Sequence, residues 1–437
     1  MKLDNSVASC LAALEQAGFS GWCVGGCVRD WLLGRVPHDY DLCTDATPEQ
    51  MKAVFSGYHL VLAGEKHGTV GVVTPDGVVE ITTFRTESGY EDNRHPDRVE
   101  FVTDICQDLS RRDFTVNAMA WSPKRGLCDP FGGEQDLKSG ILRAVGDPVT
   151  RFREDSLRIL RGVRFAVRFS LTPEAATLLA MKQEARLMDN LARERVFDEL
   201  CKLLPLVTSE DLLRFSPILT AAIPELAPMV GFDQKNHHHT YDVFTHTAHV
   251  VGNVPAELAL RWAALLHDVG KPATFQLDEF GEGHFYGHAS TGAQMADATL
   301  RNLKAPNALR ERVTRLVEHH MTKIEPTKKV VRRWLSRLGE ETLLDLLALQ
   351  QADSCQKGTE VSEGFTPFPV IYQLLEEIRQ ENACLSLKDL AVNGHDLMAL
   401  GYTGKAIGQG LNELLELVLD ENLPNEKQAL LAYLKGM

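Results

Sequence analysis

The sequence predicts an α+β protein in which a mixed-sheet head is followed by an all-helical remainder. Three observations carry that expectation. Residues 25–41, GGCVRDWLLGRVPHDYD, open on a glycine pair after the apolar stretch Trp22, Cys23 and Val24, and close on two aspartates one residue apart. Residues 68–84, GTVGVVTPDGVVEITTF, hold two β-rich runs around Pro-Asp-Gly, a hairpin signal. From about residue 140 the strand signals fade and apolar residues recur at three- and four-residue spacing.

At 437 residues, 44% of them hydrophobic, the chain exceeds one ordinary domain and can bury several cores. The first 20 residues carry charge within an amphipathic helical pattern, and no stretch approaches the ~20 apolar residues of a membrane span. A soluble, cytoplasmic protein is expected. Nine cysteines without a CxxC pair read as free thiols. The net charge of −14 argues against a generally basic nucleic-acid binder. Local charge differs from the sum, because residues 151–168 hold six arginines against Glu154 and Asp155.

The first stretch reads as strand, tight turn and helix. Gly25 and Gly26 let bare backbone approach a phosphate, Arg29 lies in the first turn of a helix over Cys27 to Leu33, and Gly34 with Pro37 stops it. Asp39 and Asp41, two apart on a following strand, point to one side of the sheet. Two hard oxygen ligands beside a phosphate-cradling turn suit magnesium holding a nucleoside triphosphate. Either half alone reads as a polar turn, and together they read as a site. In the hairpin, Glu80 stands among Val78, Val79 and Ile81; alternation puts Val78 and Thr82 on its face, and it is the candidate third carboxylate. The polar run over residues 85–98 reads as a mobile loop before a strand from Val99 to Val102.

GGCVRDWLLGRVPHDYDLCT resembles the opening signature of bacterial tRNA nucleotidyltransferases and poly(A) polymerases, class II members of the polymerase-beta-like nucleotidyltransferase superfamily. The resemblance runs from about residue 20 to the C-terminus. DLSRRDFTVNAMA, with Arg112, Asp113 and Asn117, resembles the second motif of that family, and DPFGGEQDL closes the head in the same pattern. REDSLRILRGVRF places Asp155 and Arg158 three apart on one helix face, with Arg161 and Arg164 continuing at helical spacing. As a surface ion pair, Asp155 and Arg158 are worth a few tenths of a kcal/mol. The resemblance implies instead that they read the Watson–Crick edge of C or A, with ERVFDEL buttressing the helix. It also implies that the 85–98 loop helps the enzyme pass from adding C to adding A.

Residues 237–353 carry a second set of ligands: His246, His267-Asp268, His288, His319-His320 and Asp353. This set resembles HD-domain phosphohydrolases, which implies that His246, His267, Asp268 and Asp353 hold a divalent metal of unspecified identity and that the extra histidines provide for a second. His237 to His239 read as satisfied core residues or surface groups. LKDLAVNGHDLMALGYTGKAIGQGL resembles the RNA-contacting tail of the family, with Lys405 opening a helix.

The expected organisation is a polymerase-beta-like head over 1–140, an all-α neck and body over 141–232, an HD domain over 233–360 and a helical tRNA-binding tail over 361–437. The expected activity is template-independent addition of C, C and A to the 3' end of tRNA from CTP and ATP, with magnesium in the head and a phosphohydrolase activity in the HD domain. Two rivals share the pattern: a poly(A) polymerase or A-adding enzyme, and a nucleotide-signalling synthetase with an HD hydrolase. A non-catalytic RNA-binding protein has no need of Asp39, Asp41, Asp155 and Arg158.

Overall fold

The computed structural model describes residues 1–89, 98–235, 241–355, 367–381 and 383–436. They divide into two compact units, Met1–Ala227 with Asn302–Ala305, and Pro228–Arg301 with Pro306–Met437. No helix among the described residues is long and apolar enough to cross a membrane, and all nine cysteines are free.

The first unit is built on a seven-stranded mixed sheet. Its strands are β1 (Gly21–Val24), β2 (Leu42–Thr44), β3 (Leu60–Val61), β4 (Thr69–Thr74), β5 (Gly77–Thr83), β8 (Ala120–Ser122) and β9 (Gly126–Cys128), in the order β3-β4-β5-β2-β1-β8-β9. Only β2 and β5 run parallel. Strand alternation sorts the core into two faces: Cys23, Leu42, Val79 and Ile81 join one cluster with the N-terminal helix Asn5–Gln16, while Trp22, Val24, Cys43 and Phe84 join the other. The Pro-Asp-Gly hairpin forms as expected, with Thr74 paired to Gly77 across Pro75-Asp76. Ser6 donates to Asp76 at 2.6 Å, tying the turn to the N-terminal helix.

One expected loop is in part a sheet. Strand β6 (Arg85–Ser88) pairs with β7 (Arg98–Phe101), so the polar run begins and ends in paired backbone. Its alternation of charged and hydroxyl residues hides a strand that sits outside the apolar core. The rest of the expected loop, residues 90–97, lies outside the described residues, as do His237 to His239.

Past residue 140 helices dominate. The expected continuous neck helix is broken: one helix ends at Glu154, Asp155 is extended with φ −140° and ψ 102°, and the next runs Leu157–Phe169. Arg193–Leu203 packs on that second segment and buries Glu199 against it. The second unit is helical apart from a small hairpin, Gln276–Leu277 with Gly283–His284. Its C-terminal helices Gly394–Ala399, Lys405–Leu419 and Lys427–Lys435 share a core around Leu397, Leu414 and Leu430.

Candidate nucleotide and metal sites

Gly25 is the pivot of the first unit. Its φ of 77° favours glycine, and a Cβ there would stand 3.0 Å from Nη1 of Arg112. The turn thus brings bare backbone beside the Arg112 guanidinium. The helix begins at Gly26 and ends at Leu32, with Gly34 in the left-handed region after it. Arg29 is held beneath the turn, donating through Nε and Nη2 to Asp30 at 2.9 and 2.7 Å and through Nη1 to Asn117 at 2.6 Å.

Asp39 and Asp41 precede β2 rather than lying in it. The pairing starts only at Asp41, whose carbonyl accepts from the Val24 N–H at 3.0 Å. Both aspartates nevertheless line one cavity of about 600 Å³ with Gly25, Gly26, Arg112 and Asn117. Asp41 is exposed to that open cavity. Even so, the protein around it raises its carboxyl above the usual range, Asp39 adds to the rise and Arg112 opposes it. A dication relieves that repulsion, so the donor set fits magnesium. Glu80 stands on β5, one residue before Ile81, which pairs with Leu42 at the start of β2. Its side chain is exposed, and it is not among the residues lining the cavity.

The opposite wall comes from the neck. Asp155, Arg158, Arg161 and Arg164 all line the cavity, but their partners differ from the expected pattern. Asp155 lies outside the helix that carries Arg158; its carbonyl accepts from the Arg158 N–H at 3.0 Å, while the two side chains take other partners, Arg195 and Glu154. Asp155 sits in the break, where its side chain accepts from the Leu157 N–H two residues on at 3.1 Å. Arg158 donates to Glu154 at 3.0 Å, to the Arg151 carbonyl at 3.4 Å and to the Arg111 carbonyl at 2.9 Å. Arg161 forks onto Asp113 at 3.0 and 2.7 Å. Arg164 donates to the buried Glu199 at 2.7 Å, so the ERVFDEL segment does brace this helix. Asn117 donates to Asp113 at 3.1 Å.

Arg111 and Arg195 complete the wall and were not singled out from the sequence. Arg111 neighbours the noted Arg112, while Arg195 lies inside a motif read only as a buttress. Arg29, Arg111, Arg112, Arg158, Arg161, Arg164 and Arg195 face the cavity against Asp39, Asp41, Asp113 and Asp155. A chain of net charge −14 thus encloses an electropositive pocket suited to a triphosphate.

The second unit gathers the other ligands. His246, His267 and Asp268 bring ligand atoms within 4.8 Å of one another, and so do Asp268, His288 and His320; all are buried. Nδ1 of His267, His288 and His320 lies 2.8, 2.7 and 2.7 Å from the carbonyls of Ala264, Phe285 and Val317. Each histidine can donate its Nδ1–H there, which leaves the Nε2 lone pair for a metal. Asp353 closes on His246 at 2.9 Å. His319 does not join: it packs edge-on against Trp334 with centroids 5.1 Å apart. Burial pushes His288 down to about 4, favouring the neutral, ligating form. Burial opposes the charge of Asp268, but His267 and Lys271 outweigh it and hold its carboxyl well below the usual range. Imidazoles around one carboxylate fit a transition metal or zinc.

Comparison with known proteins converges on one family. Residues 21–143 match the poly A polymerase head domain, 170–229 a probable RNA- and SrmB-binding site of polymerase A, and 285–434 a tRNA nucleotidyltransferase domain 2. The CCA-adding enzyme of Levilactobacillus brevis is 33% identical over 97% of this chain and 95% of its own length. That of Staphylococcus haemolyticus is 30% identical over 99% and 98%. The chain belongs to the CCA-adding enzyme family. With the Limosilactobacillus reuteri member, identity rises to 46% over 194 residues, and this match spans 44% of the chain and about half, 48%, of that relative. The Bacillus stearothermophilus CCA-adding enzyme, solved in complex with CTP, superposes with a TM-score of 0.71 at 28% identity, covering 100% of this chain and 98% of its own. The Thermotoga maritima enzyme complexed with tRNA shares the fold, with a TM-score of 0.62 at 21% identity over 99% and 96%. The mixed-sheet nucleotidyltransferase fold expected from the sequence is therefore the one found.

Proposed function

We propose that this protein adds C, C and A to the 3' end of tRNA from CTP and ATP without a nucleic-acid template. The observation that carries the reading is a single cavity holding the Asp39 and Asp41 pair on one side and Asp155 with Arg158 on the other. Magnesium fits the aspartate pair and, when bound, supplies charge neutralisation at the triphosphate and activation of the RNA 3' hydroxyl. The Gly25-Gly26 turn and Arg112 hold the phosphates. Asp155 accepts from the exocyclic amine that C and A share, and Arg158 donates to the neighbouring ring nitrogen. The hydroxyl then displaces pyrophosphate in line from the α phosphate. Glu80, on the strand that pairs with β2, assists from the edge of the site. The four-part division at 140, 232 and 360 belongs to the same reading, with Lys405 and its helix in the tRNA-binding tail.

The test offers tRNAs ending before CCA, after C and after CC, each with CTP, ATP or both. Stepwise growth to CCA and no further supports the assignment. A-only addition points to a divided pathway, and a long A tail to a poly(A) polymerase.

The histidine cluster favours a second activity at a separate site. We infer that His246, His267, Asp268 and Asp353, with His288 and His320, hold divalent metal for phosphoester hydrolysis. Cyclic 2',3'-phosphates on damaged RNA ends are the favoured substrate, because nucleotide addition requires a free 3' hydroxyl. Metal-dependent hydrolysis of such ends by water at the P–O3' bond, leaving a 2'-phosphate and a free 3' hydroxyl, tests it.

A further inference from the structure

The break at Asp155 raises a positioning problem, since a short carboxylate outside regular structure turns freely unless it is held. One oxygen accepts from the Leu157 N–H at 3.1 Å. The other faces Nη2 of Arg195 at 3.4 Å. Arg195 comes from the helix Arg193–Leu203, forty residues further along, and that helix is fixed to the neck by the buried Arg164–Glu199 pair at 2.7 Å. Arg195 lines the same cavity as Asp155, and its Nη1 is buried without a hydrogen-bond partner among the described residues. Leaving a guanidinium nitrogen so placed is costly unless the site uses it.

We propose that Arg195 is a positioning residue for base selection, holding the Asp155 carboxylate in the orientation that meets the exocyclic amine of C or A. This rests on the reading that Asp155 meets the base. The two contacts on Asp155 then divide the work: the Leu157 N–H fixes where the carboxyl sits, and Arg195 fixes its rotation. Misorientation weakens the correct nucleotides and leaves the wrong ones unaffected, because U and G never gain from an acceptor at that position. A buttress that only stabilised the neck would act on all four nucleotides alike.

The experiment measures kcat and KM for each of the four nucleotides on tRNA lacking its terminal A and on tRNA lacking CCA. It compares the parent with Arg195→Met, Arg195→Lys, Asp155→Ala and the double variant Asp155→Ala with Arg195→Met. Arg195→Met is expected to reduce the preference for the correct nucleotide over UTP and GTP about tenfold, chiefly through KM. Arg195→Lys should restore most of it, and in the Asp155→Ala background Arg195→Met should change the preference no further. An equal slowing with all four nucleotides, or effects of the two substitutions on preference that multiply, overturns the proposal. If Asp155→Ala leaves preference intact while Arg195→Met lowers it, the base-reading role of Asp155 fails as well. If Arg195→Met fails to fold, the Lys variant and its double with Asp155→Ala carry the same comparison.

Discussion

Arg161 forks onto a single oxygen of Asp113, through Nε at 3.0 Å and Nη2 at 2.7 Å. Asp113 belongs to the head and Arg161 to the helix that carries Arg158, so the pair joins the two walls of the cavity. Burial works against the Asp113 charge, but the charge and hydrogen bonds of Arg161, with Asn117, lower its pKa to about 2.

That pair predicts a pH dependence of stability. The folded value lies below the ordinary ~3.9 of a free aspartate, so the contribution, about 2 kcal/mol, is fully present above pH 4 and is lost as pH falls toward 2. Asp113→Asn should therefore be less stable than the parent near pH 6, with the gap closing toward pH 2. Urea unfolding of both proteins across that range checks it, and a gap that stays constant contradicts it.

Arg164 lines the cavity and donates through Nε to the buried Glu199 at 2.7 Å. Breaking such a pair from one side typically costs about 3–5 kcal/mol. Glu199→Gln should lower stability by an amount of that order. Denaturant unfolding of parent and variant checks it, and an unchanged midpoint contradicts it.

Asp39→Ala and Asp41→Ala should each lower nucleotide addition more than about a hundredfold with little change in unfolding midpoint, since metal-ion catalysis is worth several kcal/mol. Glu80→Gln should cost less, because its side chain is exposed and stands outside the cavity wall. Activity of either aspartate variant within tenfold of the parent would remove the metal assignment.

In the second unit, His267→Ala with Asp268→Ala should abolish divalent-metal binding and hydrolysis of cyclic 2',3'-phosphates while sparing CCA addition. Metal content by mass spectrometry and the two activities measured side by side check it. Loss of both activities in a folded variant contradicts the two-site reading.

The sequence made the local chemistry legible where a residue type permits few conformations. Gly25 at φ 77°, the Pro75-Asp76 turn and the alternation that buries Val79 and Ile81 on the face opposite Glu80 all follow from such constraints, whereas the exposure of Glu80 does not follow from the metal role expected of it. It misled where two periodicities agreed by accident. Arginines three apart carry through 158, 161 and 164, so the run looked like one helix from Arg153, yet Asp155 and Ser156 are cap-forming residues and the chain breaks there. Partnerships across many residues, such as Asp155 with Arg195, leave no local pattern to read. The same holds for the split between His320, which joins Asp268, and its neighbour His319, which turns to Trp334.

The most direct test of the whole account is the incorporation of all four nucleotides, one at a time, by Asp155→Ala on tRNA lacking its terminal A. C and A present an amine donor beside a ring-nitrogen acceptor, whereas U and G present a carbonyl beside a protonated nitrogen. An unpaired buried group costs about 1–3 kcal/mol, so the account predicts that the variant relaxes selection against UTP and GTP by roughly ten- to a hundredfold, more than it slows incorporation overall. A variant that loses rate but keeps the parent's preference would contradict the claim that amino acids of this chain choose the base.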